Sequence, residues 1–202
     1  MSDKFQNKYR NESARAQWWD YGNNGAYFVT ICTKNREHFF GEIVNSEMVL
    51  SETGKLCEKY LNEIPEHFPF VLLDSSAVMP DHVHAIIVID KPAVLSLGTL
   101  QCNIPATTIT NSSVIDNNNE KTKNIAMASI SPKSGSLSAV VRSFKSAVTR
   151  DAHLIRTDFE WQPRFHDHII RDEKSFQRIK NYILNNPKNW KENKSRDYSL
   201  FH

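Results

Sequence analysis

His82-Val83-His84 is the stretch of this chain whose residue types and spacing most clearly carry chemistry. Residues i and i+2 of a strand project from one face, so the two imidazoles would stand side by side on a rigid sheet. Held that way they can bind a divalent cation and leave its other positions to substrate oxygens and water. Two hydrogen-bonded histidines at the start of a strand would satisfy the same spacing. Further along, Tyr182 and Asn186 lie four residues apart and would share a helical face. A tyrosine hydroxyl can attack phosphorus and a nearby carboxamide oxygen can supply a third metal ligand. Taken singly, a tyrosine one turn from Ile179 also suits a core, and an asparagine there also suits a helix end. A second His-x-His, His166-Asp167-His168, has a charged middle residue and falls near the end of an expected strand, and His168 is its candidate active-site participant. Imidazole suits manganese, zinc or nickel better than magnesium, whereas phosphate chemistry suits magnesium or manganese.

These residues need a scaffold, and the apolar pattern supplies one. Residues 27–33 are β-rich and follow the turn Gly22-Asn23-Asn24-Gly25, while 39–44 form a second short run that extends or pairs with the first. Ser51-Glu52-Thr53-Gly54 opens a helix through Leu56, Tyr60, Leu61 and Ile64 that stops at Pro65. Residues 70–78 and 82–89, joined by Met79-Pro80-Asp81, read as an antiparallel hairpin. The unalternated run Ile86-Ile87-Val88-Ile89 marks a central strand covered on both faces. From Ser136, the stripe Leu137, Val140, Val141, Phe144 and Val148 makes an amphipathic helix whose polar side carries Arg142, Lys145 and Arg150. A strand over 161–170 and a helix from Asp172 through Phe176, Ile179 and Ile183 complete the order β-α-β-β-α-β-α. The class is α+β, a ferredoxin-like split β-α-β sandwich with an antiparallel sheet and one added C-terminal helix carrying Tyr182.

At 202 residues and 40% hydrophobic, the chain can bury one substantial core, so one domain over 1–202 is expected. The Ser-, Thr- and Asn-rich stretch at about 91–135 reads as a flexible insertion. No apolar run approaches the roughly 18–20 residues a bilayer span needs, and the basic start has no apolar stretch behind it, so no membrane partner and a cytoplasmic location are expected. Cys32, Cys57 and Cys102 are scattered and odd in number, which suggests reduced and mostly buried thiols. The net charge of +2 hides a separation: +3 over residues 1–36, −7 over 37–132 and +6 over 133–202. If the two ends converge, they present a basic surface to phosphates. Arg142, Lys145 and Arg150 are the candidate phosphate contacts, and Trp18 or Trp19 the candidate base-stacking platforms.

Several motifs occur together and in order: Met79-Pro80-Asp81-His82-Val83-His84, Phe144-Lys145-Ser146, Trp161-Gln162, Asp167-His168-Ile169-Ile170-Arg171-Asp172 and Tyr182-Ile183-x-x-Asn186-Pro187. In these the chain resembles the HUH single-tyrosine transposases. The stretch 25–36, GAYFVTICTKNR, together with Asn186-Pro187, is most similar to the REP-associated tyrosine transposases. The resemblance spans about residues 18–190 apart from the insertion. It implies that His82 and His84 are metal ligands, that Asn186 supplies the remaining ligand and that Tyr182 is the nucleophile. It further implies cleavage and rejoining of single-stranded DNA at hairpin-flanked sites through a 5′-phosphotyrosine, with Mg2+ or Mn2+ as cofactor and a monomer or homodimer as the working unit. A hairpin-binding protein that no longer cleaves, and a metal-dependent phosphoesterase in which Tyr182 is structural, are the rival readings.

Overall fold

The computed structural model describes residues 19–92 and 132–190. The insertion expected at about 91–135 falls almost wholly outside these residues, as do Trp18 and Cys102. In chain order the elements are β1 (Gly25–Cys32), β2 (Gly41–Val44), β3 (Glu47–Leu50), α1 (Glu52–Asn62), α2 (Ile64–His67), β4 (Val71–Met79), β5 (His82–Ile89), α3 (Leu137–Ala152), β6 (His166–Ile170) and α4 (Glu173–Leu184). Four of the strands form an antiparallel sheet in the order β4-β5-β1-β6. This is the strand order of a split β-α-β fold, so the expected α+β class holds.

Local chemistry sets the helix starts. Ser51, Ser136 and Asp172 each stand in extended backbone before a helix and accept a hydrogen bond from an amide three residues on, at 3.0, 3.3 and 2.8 Å. Each satisfies an orphan N–H of a first turn, worth about 1 kcal/mol. Pro65 ends α1 by opening the short α2 rather than by stopping helical structure outright.

Alternate residues of the central strands serve two different layers. Tyr27, Val29, Ile31, Val83, Ala85, Ile87 and Ile89 face the main core beneath α1 and α3. Phe28, Ile86 and Ile170 face a smaller core closed by Ile179 and Ile183 of α4. The unalternated apolar run of β5 is thereby explained: both of its faces are covered. Among the described residues, no helix is long and apolar enough to cross a membrane.

Two expectations are corrected. The run 39–44 neither extends nor pairs with β1; residues 41–44 form a separate hairpin with 47–50. Its two-residue turn, Asn45-Ser46, has both residues at positive φ (51° and 67°), the conformation whose twist matches a tight hairpin. The strand expected over 161–170 contracts to β6, and Trp161 makes only an isolated bridge to Thr33.

The hairpin is tied to the site through Phe40, whose N–H donates to Pro80 O at 3.1 Å and whose carbonyl accepts from Ser51 N at 2.9 Å. Gly54 packs its backbone on that carbonyl, where a Cβ would lie 2.1 Å from Phe40 O. A helical glycine normally gains stability on replacement by alanine. Here Gly54→Ala is expected to lower stability by about 2–3 kcal/mol through this clash, read as a fall in the urea midpoint at unchanged slope.

Candidate active site

His82 and His84 project from the α4 face of β5, and both are fully buried. Their Nε2 atoms lie 2.9 Å apart. The other nitrogen of each ring is held from behind: Nδ1 of His82 is 2.6 Å from Asp81 Oδ1, and Nδ1 of His84 is 2.9 Å from Thr30 Oγ1. Asp81 is itself fixed, its carbonyl accepting from Thr33 N at 2.9 Å and from Thr33 Oγ1 at 3.0 Å. The Arg36 guanidinium lies 3.7 Å from its second carboxylate oxygen. Rings are packed around the pair: Phe28 stacks on His84 with centroids 5.2 Å apart, and Trp190 lies nearly parallel to His82 at 6.0 Å and 14°.

Tyr182, in the last turn of α4, brings its hydroxyl to 3.5 Å from His84 Nε2, and its ring meets the edge of Phe28. Asn186 is buried, but α4 ends at Leu184 and Asn185 has left helical geometry, so Asn186 stands in the following turn rather than on a shared helical face with Tyr182. The proline after it opposes helical backbone at that position.

The donor set suits a divalent ion. With Nδ1–H of each ring directed to Asp81 and Thr30, the two Nε2 atoms would present their lone pairs toward one point, the usual outer-shell arrangement of metal-bound histidines. Ligands at about 2.1 Å on neighbouring octahedral vertices stand about 3.0 Å apart, close to the 2.9 Å found. Among the described residues no group of three or more His, Cys, Asp or Glu forms a closed cage. An ion held by this pair would therefore draw its other ligands from amide, water or substrate oxygens.

The basic helix is elsewhere. α3 covers the opposite face of the sheet from the histidine pair, so Arg142, Lys145 and Arg150 do not adjoin Tyr182. Lys145 Nζ donates to the carbonyls of Gln162 and Arg164 at 2.8 and 3.2 Å and lies over the Trp161 ring, and its partial burial lowers its pKa. Arg150 is engaged with Asp151 and Tyr60, whereas Arg142 is exposed. Trp19 packs against the main core, its Nε1 donating to Tyr27 Oη at 3.0 Å. Lys145→Ala is accordingly expected to cost about 1–2 kcal/mol of stability by releasing the 162–164 carbonyls, seen as a lowered urea midpoint. A loss of DNA affinity at unchanged stability would instead mark Lys145 as a phosphate contact.

Asp81, Thr30, Phe28 and Trp190 were not singled out by sequence. Asp81 had a signal, a carboxylate immediately before the first histidine at a turn. Thr30 had a weaker one, a polar residue within an apolar strand. Nothing in the sequence pattern points to Trp190.

The sheet order and the packing of the helices on it resemble the fold of a solved REP-associated tyrosine transposase bound to a REP hairpin, which superposes over 88% of this chain and 73% of its own length, with a TM-score of 0.50 at 18% identity. An uncharacterized protein of Haemophilus influenzae is 33% identical over 188 residues, covering 91% of this chain and 92% of its own, and the chain belongs to one family with it. No protein-family model matches the chain.

Proposed function

We propose that this protein is a transposase-type enzyme that nicks and rejoins single-stranded DNA at hairpin-flanked sites, with Tyr182 as nucleophile and a divalent ion, Mg2+ or Mn2+, on His82 and His84. The observation that carries the reading is the Tyr182 hydroxyl 3.5 Å from the Nε2 of a histidine that faces a second Nε2 at 2.9 Å. In a hydrolytic phosphoesterase or a pure binding protein the phenol would serve only packing or hydrogen bonding, so the covalent adduct separates the readings. The hairpin-bound structural neighbour supports hairpin DNA as the substrate class.

His82 and His84 would hold the ion, with Asn186 as the candidate third ligand. When bound, the ion would withdraw charge from the scissile phosphate and offset charge on the departing oxygen. Asp81 and Thr30 fix the two ring orientations, so little reorganisation accompanies binding. Tyr182 Oη forms a bond to phosphorus as the bond from phosphorus to the 3′ oxygen breaks. The phenolic proton is lost to solvent and the 3′ oxygen takes one up, leaving a 5′-phosphotyrosine and a 3′-hydroxyl. Because one ester replaces another, attack by a 3′-hydroxyl on the phosphotyrosine reverses the step and rejoins the strand. The test is recovery of a denaturant-stable protein–DNA adduct from a hairpin oligonucleotide in the presence of Mn2+.

A further inference from the structure

Sheet register determines which way the second His-x-His faces. Thr30, whose hydroxyl meets His84, pairs with His84 on one side and with His166 on the other. Phe28, which stacks on His84, pairs with Ile86 on one side and with His168 on the other. Residues directly opposite in an antiparallel pair project from the same face. His166 and His168 therefore share the face of His82, His84 and Tyr182, while Asp167, opposite Val29, takes the other. β6 is an edge strand, so this row of imidazoles runs from the catalytic pair to the margin of the sheet. α4 lies mainly over the β4 side, anchored by Lys180 on Asp74 at 3.1 Å, and both β6 histidines stay partly exposed.

We propose that His166 and His168 form a second subsite, one that binds backbone phosphates of the same DNA strand beside the phosphate that Tyr182 attacks. The inference rests on the nuclease reading above. His166 is two strands from His84, roughly 10 Å, a span an extended single strand crosses in about one to two nucleotides. A neutral imidazole already has one N–H to donate to a phosphate oxygen, so the subsite requires no change of protonation.

The experiment compares wild type, His166→Ala/His168→Ala and His168→Asn for binding of, and adduct formation with, a labelled single-stranded hairpin oligonucleotide, with Mn2+ affinity measured by calorimetry. The double alanine variant is expected to bind DNA about tenfold more weakly, with unchanged Mn2+ affinity and thermal midpoint. His168→Asn, which retains an N–H donor, should recover part of the loss. DNA affinity and adduct yield equal to wild type in the double variant overturn the subsite. Wild type that binds DNA but forms no adduct overturns the nuclease reading alone, because a weaker-binding double variant would still locate a DNA contact on β6. Wild type that binds no DNA removes both.

Discussion

Tyr182→Phe is expected to abolish the covalent protein–DNA adduct while leaving a folded protein that still binds DNA. The substitution deletes one hydroxyl and keeps the ring, so the edge contact with Phe28 and the ring contact with His84 persist. Since the residue is only half-buried, the stability cost should stay below about 1 kcal/mol. Loss of the nucleophile, by contrast, removes the reaction rather than slowing it. The readout is a band resistant to denaturant after incubation with a labelled hairpin oligonucleotide and Mn2+, with phosphodiesterase treatment showing attachment through the 5′ phosphate. Undiminished adduct in the variant would move the nucleophile to another residue. Strand cleavage by the wild type without any adduct would turn the reading to a hydrolytic phosphoesterase.

Much of this site was legible in the sequence because its chemistry sits on regular elements. The His-x-His spacing specifies one face of a strand, and β5 holds both rings as that rule requires. The apolar run beside it announced a central strand, and the serine and aspartate caps marked helix starts to within a residue. What periodicity cannot supply is which side of the sheet each helix takes. The stripe of α3 showed that the helix packs, and it does, but on the face away from Tyr182, so the basic residues on its polar side point away from the chemistry. Chain topology determines that side. β1 and β4 run parallel, as do β5 and β6, and two crossovers of the same hand place α1 and α3 on one face. The added helix α4 must then cover the other. The β2-β3 hairpin was obscured for a local reason, since Asn45-Ser46 is a weaker signal for a positive-φ turn than a glycine would be. Asn186 lies beyond the end of α4 at Leu184, where helical spacing from Tyr182 no longer applies.

His82→Ala should bring Mn2+ binding below detection by calorimetry and take the adduct with it, and Asp81→Asn should give a graded version of the same loss. Asp81 touches no substrate in this reading; it is a positioning residue that acts through His82 Nδ1 at 2.6 Å. An asparagine can present a carbonyl to the same N–H but not a charge, so the ring keeps its place while its Nε2 becomes a poorer donor. Loss of such an outer-shell partner typically lowers metal affinity by about 10–100-fold. The two variants also separate metal from structure. His82 is buried beneath Trp190, and its truncation leaves a gap expected to cost about 2–4 kcal/mol, so a fall in activity there is ambiguous alone. Asp81→Asn preserves volume, and raising Mn2+ to saturation should restore its adduct toward wild type. Restoration by excess metal is the result a merely structural defect would not give. Full Mn2+ affinity in His82→Ala would mean that the ion, if one is used, is not held by this pair, and the proposed mechanism would lose its Lewis acid while keeping its nucleophile.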